Sequence, residues 1–399
     1  METIKTAKIV AFSEPRIETV AGGRLLFIDN IRWLMIVFVV LIHLNCTYGN
    51  IGMWYYKEIR DLDFFSFTIF GMIGSFTQTY FMGLLFFIAG YFVPESYDKK
   101  GIGRFLRDRL YRLGIPTLVF MLLLHPLTIS IIEAFNYNFP TNPFSWYVRY
   151  LASLDFISGS GPLWFALALV IFSASYALLR LFCPEPEIKI NERRPIVITH
   201  ARVLAVIGLM ASSTFLIRLA QPIGTAFFNM QLSYFTGYII LFVLGFKAHR
   251  WNLLMSLTSE FGEFWFGLAL RLGWPLWGVI MLLGGVLKSF TPFAGGFYWQ
   301  AAAYAIWESF FCIGVCLGLL VLFRDNYNRQ GGLERFLSQN AFGVYVFHTP
   351  LMVGITLLFR GIRMYPLLKM IIMALIVLPL CFGFVFLLRK NQLLKKLFS

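Results

Sequence analysis

Charge is scarce in this chain. Only 14% of its 399 residues are Asp, Glu, Lys or Arg, with 20 acidic against 34 basic. Together with 58% apolar residues and a mean hydropathy of +0.72, that scarcity excludes one soluble core of ordinary composition and calls for surfaces that face lipid. Internal repeats, low-complexity linkers and an appended soluble domain are also missing, so residues 25–399 are expected to form one membrane domain behind a short cytoplasmic segment, 1–24. That segment has no cleavable pattern after it, and Cys46 lacks the small residues that a lipoprotein cleavage site needs, so the first apolar run stays as an anchor. The five cysteines, Cys46, Cys183, Cys312, Cys316 and Cys381, lie mostly in apolar segments without metal-ligand spacing. Neither a disulfide framework nor a zinc site is indicated, and no metal or bound cofactor is expected. Cys312 and Cys316 are one helical turn apart, where small apolar packing is the simpler reading. The net charge of +14 does not point to nucleic acid, because the basic residues sit in short loops between apolar runs.

Apolar length is what the chain has in quantity. Stretches near residues 31–49, 70–93, 113–133, 162–183, 202–219, 232–248, 264–287, 300–323, 339–359 and 365–388 mostly reach the ~17–25 residues of a spanning helix. The expected fold is an all-α, polytopic bundle of about ten spanning helices with both termini cytoplasmic. The seventh stretch is the weakest, since it carries Arg271 and is interrupted by Gly273 and Pro275. Trp54 to Tyr56, Trp146 to Tyr147 and Tyr298 to Trp299 cluster at ends of apolar runs, where amphipathic rings suit the headgroup level. A cytoplasmic N-terminus places the basic loops Lys99 to Arg112, Arg180 to Arg202, Lys247 to Arg250, Arg324 to Arg335 and Arg389 to Lys396 on the inner side. The alternate loops carry far fewer basic residues.

Ionisable residues at membrane depth need a reason to be there. Arg32 and His43 are eleven residues apart, about three turns plus 20°, so they share a helix face about 16 Å apart along the axis. Arg32 falls at the inner interface and His43 near mid-membrane. A histidine whose proton moves near neutral pH suits general-base work on a hydroxyl, while the plainer reading is an interhelical hydrogen bond. His348 falls at a comparable depth, with Tyr345 one turn earlier on its face. His125 precedes Pro126 and is read as helping to satisfy carbonyls freed by a kink. His200 and His249, at inner loops or their edges, are expected to be solvated. The segment before the third stretch concentrates Arg104, Arg107, Arg109 and Arg112. Arginine grips phosphate in a bidentate fork, so this cluster serves either the phosphates of coenzyme A or anionic lipid.

These residues carry a resemblance. Ile28-Asp29-Asn30-Ile31-Arg32, leading to His43, resembles the Arg, ten residues, His signature of the acyltransferase 3 family of membrane O-acyltransferases. Phe86 to Phe92 is similar to that family's second-helix motif, with Ala89 where many relatives have a small hydroxylated residue. Arg109-Leu-Tyr-Arg112 with Ile115-Pro116 resembles its Arg-x-x-Arg motif, Leu163-Trp164-Phe165 its Leu-Trp-Phe element, and Tyr345-Val-Phe-His348 its late Tyr-x-x-His stretch. The resemblance implies transfer of acetyl, succinyl or a similar group from cytoplasmic acyl-CoA to a hydroxyl of a carbohydrate acceptor, in a multi-pass protein of the bacterial inner membrane. The opening stretch and His348-Thr349-Pro350 are most similar to glucan-modifying, glucan succinyltransferase-like members. Larger relatives carry a C-terminal extracytoplasmic hydrolase-like domain that this sequence lacks.

The implied mechanism has acyl-CoA entering from the inner side, its phosphates on Arg109 and Arg112, with Arg32 and Arg104 nearby. His43 takes the proton of the attacking hydroxyl, while His348 or Tyr345 orients the acceptor or stabilises the oxyanion. Asp29, Trp164 and Glu308 are lesser candidates, Asp29 and Glu308 for orienting an Arg or His. A covalent route through Cys46, one turn from His43, is a minor alternative. Two rival classes also fit buried polar residues in a bundle: a proton-coupled secondary transporter, and a non-catalytic scaffold.

Overall fold

The computed structural model describes residues 24–58, 61–136, 142–184 and 196–398, in which helices dominate and no strand forms. The N-terminal residues 1–23 and the middle of the basic loop before His200, 185–195, lie outside the described residues. Ten helices are named here: α1 (Leu26–Gly49), α2 (Phe64–Arg109), α3 (His125–Phe135), α4 (Trp164–Phe182), α5 (His200–Ala220), α6 (Phe235–Arg250), α7 (Ser259–Gly284), α8 (Trp299–Asn326), α9 (Gly332–Leu358) and α10 (Pro366–Leu388).

Nine continuous helical stretches among the described residues are long and apolar enough to cross a bilayer. The longest, Phe64–Phe135, has 72 residues, about 108 Å of helix against a hydrocarbon core of about 30 Å. It is broken at Gly101, whose φ of 69° and ψ of 165° only glycine adopts without strain. The stretch therefore supplies two crossings, and the ten apolar runs of the sequence each acquire a helix. The weakest of them is one unbroken helix: α7 runs through Gly273 and Pro275, and the Trp307 indole N–H of α8 donates to the Gly273 carbonyl at 2.8 Å.

Between α2 and α3 the chain departs from the α geometry twice. Leu110–Gly114 and Phe120–Leu124 are π-helical, with Ile115–Val119 between them. The second π turn sends the His125 N–H to Phe120, leaving the Met121 carbonyl without its usual partner. Pro126 has no N–H to offer Leu122. Both orphans are filled by the amphipathic helix Pro143–Ala152, where Tyr150 Oη donates to Met121 at 2.6 Å and Tyr147 Oη to Leu122 at 2.9 Å. This corrects the expectation for His125: two tyrosines satisfy the freed carbonyls, and the histidine is left for other work.

Helices α8 and α9 are the most enclosed of the spans, and α1 packs against α2, α8, α9 and α10. Water gives no drive for helices to associate inside a bilayer, so close packing and internal polar bonds hold the bundle. The α2–α6 crossing is a close approach of two backbones. A Cβ on Gly90 would lie 2.2 Å from the Phe242 carbonyl oxygen, and one on Gly245 would lie 2.2 Å from that of Phe87. Helix α2 is started by Asp63, whose side chain accepts from the Ser66 N–H at 3.0 Å and the Ser66 hydroxyl at 2.6 Å. These bonds hold the Asp63 carboxyl below the usual carboxylate range.

Candidate active site

The centre of the site is built by α1, α9 and the loop 50–58. Helix α1 presents His43 and α9 presents His348, and the two rings meet with His43 Nδ1 3.1 Å from His348 Nε2. His348 is fully buried, whereas His43 is partly exposed. The proton order of this pair follows from its partners. His348 Nδ1 lies 2.9 Å from the Tyr345 carbonyl and 3.2 Å from that of Val344. A carbonyl oxygen only accepts, so His348 Nδ1 carries the proton and its Nε2 offers a lone pair. His43 Nδ1–H then donates to that lone pair. What remains is the lone pair on His43 Nε2, which has no hydrogen-bond partner among the described residues.

The loop 50–58 closes over this pair. Trp54 stacks on His43 with ring centroids 3.9 Å apart and planes within 16°, and it is nearly parallel to His348 at 6.2 Å. Burial pushes the Tyr55 phenol up, and its oxygen is hydrogen-bonded to His125 Nδ1 at 2.6 Å. Loop ends are tied down. The Glu58 N–H donates to the Thr47 carbonyl at 2.8 Å, and the Glu58 carboxylate receives Lys369 Nζ on both oxygens at 2.8 Å. Lys369 also donates to the Phe359 and Ile362 carbonyls, each at 2.9 Å. Sequence reasoning placed Trp54 with the interfacial aromatics and gave no role to Lys369 or Glu58, because a loop has no periodicity from which contacts can be read.

Tyr345 ties α9 to the start of α4. Its hydroxyl donates to the Pro162 carbonyl, and the side chain is buried. That bond anchors the turn Gly161–Leu163, which leads into α4, while the Tyr345 carbonyl fixes the His348 tautomer. Trp164, the first residue of α4, stacks on Tyr238 at 5.7 Å and lies against Phe86, so it joins α4 to α2 and α6. His249 is buried against Tyr91 at 5.2 Å, not solvated; His200 is exposed and rests on Phe261 at 4.8 Å.

At the other end of the same face of α1 stand the arginines. Arg32 pairs with Asp29 at 3.2 Å and lies 4.9 Å over the Phe92 ring of α2. Asp29 also accepts from Arg24 at 2.6 Å. Arg109 stands over Phe105 and is near enough to Arg32 and Arg112 to feel both charges. The fold therefore gathers Arg32, Arg109 and Arg112 from positions up to eighty residues apart. Arg104 is exposed. Beside Arg32, Asn30 locks α1 to the α8–α9 connection. Its amide donates to Tyr327 and Arg329 carbonyls at 2.7 and 2.9 Å and accepts from Trp33 and Gln330 at 3.2 and 3.0 Å.

Glu308 stands apart from this pair of histidines. It forms a buried ion pair with Arg218 at 2.7 Å, beside a small cavity lined by Gln78, Thr214, Tyr234 and Tyr238. Glu308 was expected to orient an arginine or a histidine, and the partner that the structure gives it is Arg218. No group of three or more His, Cys, Asp or Glu among the described residues comes together as metal ligands do.

Helix α1 thus carries His43 of the histidine pair and, about 16 Å away along its axis, Arg32 of the arginine cluster. The family model described as an acyltransferase domain matches residues 25–389. The chain belongs to the acyltransferase 3 family. No curated protein and no solved structure matches it. Membership in this acyltransferase family replaces the transporter and scaffold readings, and the protein is a polytopic membrane acyltransferase.

Proposed function

We propose that this acyltransferase moves an acyl group, acetyl or succinyl, from cytoplasmic acyl-CoA to a hydroxyl of a carbohydrate acceptor in the inner membrane of a bacterium. The observation that carries the reading is the proton order of the histidine pair, which leaves His43 Nε2 as the one unoccupied basic nitrogen of the two. His43 takes the proton of the acceptor hydroxyl as that oxygen attacks the thioester carbonyl. His348 touches neither substrate. It holds the His43 tautomer, receiving Nδ1–H, and is a positioning residue.

The arginines support the donor assignment. Arg32, Arg109 and Arg112 form a cluster of like charge with few carboxylates beside it, which favours a bound polyanion. Arg32 and His43 are about 16 Å apart along α1, so a donor whose phosphates rest on this cluster extends by about that distance to bring its thioester to His43. A carbohydrate acceptor, and within that class a glucan, rests on the resemblance of the Ile28 to Met35 and His348 to Pro350 stretches to glucan-modifying members.

Purified protein assayed for thiol release from acetyl- and succinyl-CoA with a glucan acceptor tests the reading. His43→Gln keeps a hydrogen-bonding side chain but cannot take up the proton, so the rate should fall by about 10²- to 10⁴-fold with the protein still folded. A Gln variant of near-normal rate would remove His43 as the base.

A further inference from the structure

We propose that the indole N–H of Trp54 is the donor that stabilises the oxyanion formed during acyl transfer, which makes Trp54 a catalytic residue. This inference rests on the assignment of His43 as general base. In the first step the acceptor oxygen bonds to the thioester carbon, its proton passes to His43 Nε2, and the carbonyl π pair moves onto oxygen. In the second step the C=O bond reforms, the C–S bond breaks, and the leaving thiolate takes the proton back from His43. Between the two steps a full negative charge sits on an oxygen within a water-poor site, where a fixed donor is worth most.

Several donors near His43 are committed elsewhere. His348 Nδ1–H is given to the Tyr345 carbonyl, Tyr345 Oη to Pro162, Thr47 Oγ1 to the His43 carbonyl, and the Asn45 amide to Phe70, while Tyr55 Oη is bonded to His125 Nδ1. Trp54 Nε1–H differs from all of these. It is sealed from solvent and has no hydrogen-bond partner among the described residues, while its ring lies 3.9 Å from that of the base. A buried donor left unpaired costs about 1–3 kcal/mol of stability, so its retention beside the base calls for a use. The loop is also held as such a donor requires. Glu58, four residues on, is fastened to Lys369 and to the Thr47 carbonyl, so the indole is pre-positioned and need not be ordered during the reaction.

Trp54→Phe keeps a ring against His43 and deletes the N–H; benzothienylalanine at position 54 keeps the full ring size and deletes it too. Rates are normalised to folded protein, and thermal unfolding in detergent is measured alongside. The expected result for both is a fall in kcat on the order of 10²-fold with KM for acyl-CoA nearly unchanged, because the interaction exists only once charge has developed. Unfolding temperature should stay level or rise with benzothienylalanine, since an unpaired donor has been removed. Full kcat with benzothienylalanine, in a protein whose His43→Gln variant is inactive, overturns the donor role and leaves the base intact. An active His43→Gln variant fails the base assignment instead. If Trp54 served packing alone, Phe would lower stability while the analogue restored both stability and rate, which also overturns the proposal.

Discussion

A side chain's role here is set by what its polar atoms are already bonded to. Tyr345 and His348 share one helix face and one sequence motif, yet the structure separates them. The tyrosine hydroxyl is committed to Pro162, whereas the histidine bridges a backbone carbonyl and the base. Tyr345→Phe should therefore leave kcat within a few-fold of the parent while lowering stability by about 1–3 kcal/mol, the cost of leaving the Pro162 carbonyl unpaired. Steady-state kinetics beside thermal unfolding would separate the two effects, and a large loss of kcat at normal stability would return the tyrosine to the chemistry. Arg32 is likewise positioned through a neighbour, since Asp29 and the Phe92 ring fix the guanidinium between them.

Elements are joined by buried polar contacts and by glycines that let backbones meet. The Phe86 to Phe92 motif illustrates the second kind. Gly90 meets the backbone of α6 while Phe86 and Phe92 reach towards α4 and Arg32, so the motif assembles the site without entering it. The buried pair Lys369–Glu58 illustrates the first, fastening the loop 50–58 to the α9–α10 connection. Lys369→Met should cost about 3–5 kcal/mol, because it leaves a buried carboxylate without this counter-charge. Adding Glu58→Leu should recover a large part of that loss, though not the bonds to Phe359 and Ile362. Equal unfolding temperatures for the single and double variants would show that the two charges are not coupled.

Across the whole molecule the basic loops set the orientation on which the donor side depends. A reporter fused after Lys396 should read as cytoplasmic and one near residue 150 as extracytoplasmic; the reverse at either site would move acyl-CoA entry to the other face. Ten apolar runs, their lengths and the shared face of Arg32 and His43 were all legible from the sequence, because helix periodicity and bilayer thickness are local constraints that act on contiguous residues. The sequence also pointed to His43 and His348 separately, since ionisable groups at membrane depth are conspicuous wherever they occur. Only the tertiary structure brought them together across 305 positions, set Trp54 on His43, gave Tyr55 to His125, and paired Glu58 with Lys369 and Glu308 with Arg218. Those decisions depend on which helices touch and at what height. That is settled by close packing and by hydrogen-bond satisfaction between segments, and neither leaves a periodic trace along a single chain.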